Sequence, residues 1–381
     1  MTSSRARIDK IPSINQPTMA TTASSETKFK SNKELLSIAL TSAETMRFGD
    51  FRDDLARDGF CVVKGAVPRD EALAVVDKIY TYLEDLCVLN LPPSQPMSPL
   101  SNPEHSKLGY DRHDPSTIKR ANLPNISEKG MLMHYGSAHE SFVWDIRGAP
   151  GVIDAFEKVL GTSDLIVSFD AINVSLHNRS DWPPNTPWPH QDQDPDKPGF
   201  RCLQGLVNLQ PCGPDDGGLI ACKGAHLLSA QFHDEMKNEE RIPQWTNEWY
   251  GFTSAGMEWL ANHGCVWEKV CAEPGDLVLW DSRTPHYNKS PGNGSKRDRM
   301  CIYTCYMPVE EASQEDLVRK KGAWDRRVGT THWPNAKFVG SNVAVRGEDL
   351  NGVVRLRPVE EPVLSERVFK LTGIPYIKST A

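Results

Sequence analysis

The sequence contains no run of about eighteen apolar residues, so nothing in it reads as a membrane-spanning helix. It has no basic block either: 43 Lys and Arg stand against 50 Asp and Glu, a formal net charge of -7. That balance argues against a sequence-independent hold on nucleic acid. No CxxC pair occurs among the nine cysteines at 61, 87, 202, 212, 222, 265, 271, 301 and 305. Odd in number and scattered, they read as buried or free thiols in a reducing compartment. Residues 1–40 lack the apolar core of a secretory signal and are rich in Ser and Thr, which reads as a disordered tail. Asp9, Pro12 and Pro17 break up the helix that Arg5, Arg7 and Lys10 would need for an organelle transit peptide. The C-terminal end has no Ser-Lys-Leu signal, so the cytoplasm is the expected compartment, ahead of the peroxisome. Asn-x-Ser matches occur at Asn125, Asn178, Asn288 and Asn293, two of them just after His286, where a glycan would crowd the loop.

What is present begins with size. The chain has 381 residues and 39% of them are apolar, enough for one large core with an extension. "FCVVKG" is a short β-rich run ended by glycine, and the apolar residues Leu73, Val76, Ile79, Tyr80 and Leu83 follow at helical spacing. Residues 90–128 hold many Pro, Ser and Asn and read as loop. "GAPGVIDAFEKVLG" reads as a helix closed by Gly161. From residue 164 the texture changes to short β-rich runs divided by Gly, Pro, Asn and Asp: "DLIVSFDAINVSL", "GFRCLQGLVNLQP", "GGLIACKGAH", "GDLVLWDS" and "RMCIYTCYMP". Such a series predicts a mainly β fold with flanking helices, a sandwich or jelly roll. A long insertion, 227–271, carries Trp245, Trp249, Trp259 and Trp267 and reads equally as a binding lid or as a helical excursion packed on the sandwich. The division expected is a tail (1–40), a jelly-roll domain with a helical N-terminal part (41–310), and a C-terminal extension wrapping the core (311–381) with a charged helix near 312–326.

The chemistry is concentrated in "PWPHQDQDP", residues 187–195. In a strand, residues two apart face one side, so His190 and Asp192 would point together and offer one nitrogen and one oxygen ligand. A third ligand must come from elsewhere, and His286, after the run "GDLVLWDSRTP", is the best candidate. Two histidines and one carboxylate on one face of a metal leave three positions open, the arrangement of non-haem Fe(II) oxygenases. Arg297 and Arg299 enter the last β-rich run, where a guanidinium can hold the far carboxylate of a chelating 2-oxo acid by two parallel hydrogen bonds. The prolines at 183, 184, 187 and 189 stiffen the approach to His190, and Trp182 and Trp188 could wall the entrance. Asp194 reads as a cap or a nearby acceptor, and His177, His226, His233 and His263 as structural or solvated histidines. Trp280 reads as core.

The pattern "HQD … GGLIACKGAH … GDLVLWDSRTPH … R-x-x-I-x-x-x-Y", together with "RDGFCVVKGAVPRDEAL", resembles the phytanoyl-CoA dioxygenase family of Fe(II)- and 2-oxoglutarate-dependent oxygenases over about residues 50–308. The resemblance implies a double-stranded β-helix (a cupin-like jelly roll) and the cofactors Fe(II), 2-oxoglutarate and O2. It implies His190, Asp192 and His286 as metal ligands and catalytic residues. It implies Arg299, in frame with Ile302 and Tyr306, as the carboxylate-binding residue, with Arg297 in reserve and Asn288 as a further 2-oxoglutarate contact. The family's "PGSH" turn is here "KGAH", and a lysine often found ahead of the His-x-Asp segment has no clear match; His177 or Asn173 stand as replacements. A carboxylate at position 192 disfavours halogenation, since related halogenases lack that ligand. The implied activity is oxidation of a C–H bond (hydroxylation first, then desaturation or rearrangement) in an apolar or aromatic small molecule of specialised metabolism. Two alternatives stand beside it: a cupin-like metalloenzyme that does not use 2-oxoglutarate, and a non-catalytic jelly-roll binding protein.

Overall fold

A computed structural model describes residues 48–90 and 105–378, apart from 180, 182, 198, 244, 245, 293, 347 and 348. The expected disordered tail therefore lies outside the described residues, as do Trp182 and Trp245. Among the described residues no helix is long and apolar enough to cross a membrane.

The N-terminal elements follow their sequence signals. Asp50 caps the Phe51–Asp58 helix by accepting from Arg52 N, and Gly59 closes it at φ +83°. A side chain at Gly59 would run into His226 and Thr284, so only glycine lets this turn sit against the sheet. The strand Phe60–Val63 follows, then the helix Arg69–Asp85 with Asp70 and Glu71 in its first turn. The buried face of that helix is Ala72, Val75, Val76, Ile79, Tyr82 and Leu83. This corrects the expected stripe, because Leu73 is 36% exposed. The helix Pro150–Leu160 starts on proline, ends at Gly161 and buries Val152, Ile153, Phe156, Val159 and Leu160.

Two antiparallel sheets form the body. One runs Phe60–Val63, Leu277–Asp281, Leu203–Asn208, Arg299–Tyr303, Ile172–Ser175 and Met131–Leu132, with Tyr306–Pro308 and Leu165–Val167 attached at its side. The other runs Tyr250–Gly251, His190–Gln191, His286–Lys289, Gly218–Lys223 and Val266–Lys269. Chain order alternates between them, apart from 250–251 and 266–269, which follow 218–223 in the second: 172–175, 203–208, 277–281 and 299–303 fall in the first, while 190–191, 218–223 and 286–289 fall in the second. That alternation is the double-stranded β-helix. Every pairing in the two sheets is antiparallel.

The 227–271 insertion is shorter than its sequence suggests. Val266–Lys269 pairs with Gly218–Lys223 as a strand of the second sheet, and its alternating exposure shows why its β character was masked. The remainder holds the helices Ser229–Glu235 and Ser254–Asn262 and packs Phe232, Tyr250, Phe252 and Leu260 into a small separate core.

The C-terminal stretch is more regular than expected. Ser313 and Asp316 form a capping box for the helix Gln314–Asp325. Val343–Arg346 and Asp349–Val354 form a hairpin whose sheet continues through Cys87–Asn90 and His105–Lys107, the last from a segment read as loop. Ala323, Val328, Ala344 and Leu371 belong to the main hydrophobic core.

Candidate metal centre

His190 and His286 are Cα partners on neighbouring strands, which sets the two imidazoles side by side with ring centroids 4.4 Å apart. His190 Nδ1 lies 3.1 Å from Trp188 O, and His286 Nδ1 lies 2.9 Å from Thr284 O. A carbonyl can only accept, so each Nδ1 carries the proton and each Nε2 keeps a lone pair. Those Nε2 atoms stand 3.6 Å and 3.4 Å from Asp192 Oδ2. The ligand atoms of His190, Asp192 and His286 all lie within 4.8 Å of one another, and all three residues are buried. Two neutral imidazole nitrogens and one carboxylate oxygen, converging and with their outer atoms already engaged, fit a divalent metal of the non-haem iron type.

The route by which Asp192 arrives differs from the period-two expectation. The strand covers only His190–Gln191, and Asp192 falls in the bend after it. Its position comes from Asp192 N donating to Ser282 O and from Gln204 Nε2 donating to Asp192 Oδ2 at 2.9 Å. Burial pushes the Asp192 carboxyl up, but His190, His332 and His286 outweigh that and hold it well below the usual carboxylate range. Burial also lowers His190.

Asp194 turns away. Its Oδ1 accepts from Asp196 N and its Oδ2 pairs with Lys197 at 3.1 Å, so it caps a turn. His177 pairs with Asp298, His226 with Ala56 O, His233 with Gln191, and His263 with Trp259 O. None of these four joins the metal group. Trp280 is buried in the barrel, with its ring 5.3 Å from His286.

The two arginines part company. Arg299 is buried on the same strand face as Cys301, opposite Ser175, and its Nη1 has no hydrogen-bond partner. Arg297 pairs with Asp216 at 3.0 Å and its side chain is 54% exposed. Asn288 is buried two residues beyond His286, with an unpartnered Oδ1. Its Nδ2 donates to Lys129 O at 2.6 Å, and Asn173 Nδ2 donates to the same carbonyl at 2.9 Å. Lys129 is thereby fixed at the site's flank. Its Nζ lies 3.5 Å from the Trp188 ring centroid, and burial lowers its pKa while Glu128 and Asp192 raise it. Of the two residues considered in place of a lysine, His177 is bonded to Asp298 and Asn173 to Lys129 O.

The walls of the centre are aromatic. Trp188 stacks on His190 at 4.2 Å and 8°, and Trp249 stacks at 5.8 Å on the same ring. The approach segment is tied to its neighbours: Asn185 Nδ2 and Trp188 Nε1 both donate to Asn288 O, and Phe252 N donates to Pro189 O. The insertion's tryptophans divide between the two expected roles. Trp249 faces His190, whereas Trp259 and Trp267 pack on the small core of the insertion.

The phytanoyl-CoA dioxygenase (PhyH) family model matches residues 55–301. The Ava biosynthesis cluster protein O of Aspergillus versicolor is 35% identical over 320 residues, which are 83% of this chain and 95% of that protein. Among solved structures, the epimerase SnoN in complex with Fe3+, alpha ketoglutarate and nogalamycin RO is 16% identical, covers 67% of this chain and 81% of its own, and superposes with a TM-score of 0.43. AviO1 from Streptomyces viridochromogenes Tue57 is 17% identical, covers 70% and 96%, and gives a TM-score of 0.36.

Proposed function

The chain belongs to the phytanoyl-CoA dioxygenase family, and from that premise we propose that it oxidises a C–H bond of an apolar or aromatic small molecule in the biosynthesis of a specialised metabolite. It is an Fe(II)- and 2-oxoglutarate-dependent oxidoreductase with O2 as second co-substrate. His190, Asp192 and His286 hold the iron; the observation that carries this is the convergence of two unprotonated Nε2 atoms and Asp192 Oδ2 within 4.8 Å. When bound with 2-oxoglutarate and O2, the iron supplies the oxidising power for C–H cleavage, with succinate and CO2 as co-products.

The protein's own residues do the rest. Arg299 receives the far carboxylate of 2-oxoglutarate: it is a buried guanidinium with an unused donor, while Arg297 is spent on Asp216. Lys129, ahead of the His-x-Asp segment, stands in the place of the family's lysine, and Asn288 holds its main chain still. Trp188 and Trp249 narrow the mouth around His190 and favour a flat apolar substrate. The specialised-metabolite assignment rests on the Aspergillus versicolor relative, and hydroxylation is the simplest outcome of the shared chemistry. We place the activity in the cytoplasm, in keeping with eight free thiols among the described residues.

The test is an anaerobic titration with Fe(II) and then 2-oxoglutarate, followed by visible absorption. A charge-transfer band that needs both is expected, and His190→Ala, Asp192→Ala and His286→Ala should each abolish it and turnover while the fold survives. Arg299→Ala should weaken 2-oxoglutarate binding by about 10- to 100-fold, the loss of a charge-assisted hydrogen-bond pair. Arg297→Ala should leave it unchanged. Iron binding without any band would favour a metalloenzyme that does not use an oxo acid.

A further inference from the structure

One group of buried polar atoms has no part in holding the metal or the oxo acid. It lies in the segment after the Gln314–Asp325 helix, where an isolated bridge pairs Thr330 with Val339 and Ala336 N donates to Trp333 O. His332 is 9% exposed and Trp333 is 5% exposed. Lys337 of the same segment pairs with Glu248, which accepts from Asp194 N two residues after Asp192, so this segment lies against the metal-bearing bend. His332 Nε2, Trp333 Nε1 and Arg201 Nη1 are all buried without a hydrogen-bond partner. They form one cluster: the His332 and Trp333 ring centroids are 5.3 Å apart, and Arg201 Cζ is 5.6 Å from the Trp333 ring. The nearest carboxylate of Arg201, on Glu248, is 3.6 Å away, too far to satisfy it.

Three unpartnered nitrogens side by side are costly in a folded interior, and such atoms occur where a ligand completes them. Their chemistry says which ligand. An indole N–H and a guanidinium can only donate, and an imidazole can do either. A shared oxygen acceptor satisfies the donors, and the indole offers an apolar wall beside it.

We propose that Arg201, His332 and Trp333 form a substrate-recognition wall beside the metal-bearing bend, where the Arg201 and Trp333 donors grip an oxygen acceptor, a carbonyl or carboxylate, carried by a flat apolar substrate. This rests on the oxygenase reading of the site. The wall comes from residues beyond the family-matched segment, apart from Arg201, so substrate choice is set largely by the C-terminal extension.

The experiment measures anaerobic binding of three probes of similar shape to the full chain loaded with Fe(II) and 2-oxoglutarate, by calorimetry. The probes are acetophenone, benzoate and ethylbenzene. At least one oxygen-bearing probe should bind about tenfold tighter than ethylbenzene, the worth of one good hydrogen bond. Trp333→Phe keeps the ring and removes the donor, so it should cancel that preference while the charge-transfer band remains. Arg201→Met makes the same test should Trp333→Phe fail to fold. Tighter benzoate binding that weakens with salt assigns a carboxylate, and tighter acetophenone binding assigns a neutral carbonyl. Equal binding of all three probes, no binding at all, or a preference that survives both variants overturns the proposal. Absence of the band in the wild-type chain would instead sink the oxygenase reading beneath it.

Discussion

At the scale of single residues, the centre depends on what surrounds its ligands. Gln204 donates to the Asp192 oxygen that faces both imidazoles. Groups that orient a ligand this way commonly contribute 10- to 100-fold to metal affinity, so Gln204→Leu is expected to weaken Fe(II) binding by about that factor. A competitive chelator titration on the apo-protein would measure it, and an unchanged affinity would show that Asp192 needs no such support. His190, Asp192 and His286 were legible as a spaced pattern of ligand types. Gln204 and Lys129 were not, because each reaches the site from a separate stretch whose local pattern carries no chemical signature.

At the scale of elements, local signals placed the helices well and some strands poorly. Gly161 closes the helix as its sequence suggested, and Asp50 and the Ser313–Asp316 box cap two others in the structure. The metal-bearing second sheet was the hard part: His190–Gln191 spans two residues, and Val266–Lys269 alternates in exposure. Such strands exist because neighbours pair with them, not because their residues demand it. The small core of the insertion supports one of these strands through Tyr250, which pairs with Gln191. Phe232→Ala in that core should cost about 3–5 kcal/mol of unfolding free energy in urea titrations. Gly275 has φ +89°, and a Cβ there would meet Val67 O. Gly275→Ala should therefore destabilise by about 2 kcal/mol or more, from strain plus clash, read as a lower urea midpoint.

At the scale of the whole molecule, one buried carboxylate joins three distant parts. Glu248 of the insertion is 1% exposed and pairs with Lys197 at 3.0 Å, with Lys337 of the C-terminal extension, and more loosely with Arg201. Asp194 N also donates to it, next to the metal-bearing bend. Burial pushes its carboxyl up, yet Lys337, Lys197 and Arg201 hold it down to about 2 from 4.5. A carboxylate depressed in the folded state stabilises the protein above its unfolded value and loses that contribution as pH falls through its folded value. Stability should therefore drop between about pH 4.5 and pH 2, and Glu248→Gln should remove about 3 kcal/mol at pH 7 while flattening that acid limb. A denaturant series across pH separates the two chains. Ending the chain at residue 310 should prevent folding altogether, since it strips Leu317, Ala323 and Leu371 from the interior; circular dichroism of the shortened chain checks this.

The sequence by itself determined the metal chemistry and the class of fold. Ligand types at short spacing and a series of β-rich runs are local properties, written within a few residues of each other. It left two arginines in contention and the insertion's role open. Only the tertiary structure decided the partners of the two arginines and which of the insertion's tryptophans faces His190, because burial and partnership are not local. Asp216 claims Arg297 and leaves Arg299 inside. Register sets His286 opposite His190 across 96 residues of chain, and packing brings Lys337 of the C-terminal extension to Glu248, next to the metal-bearing bend.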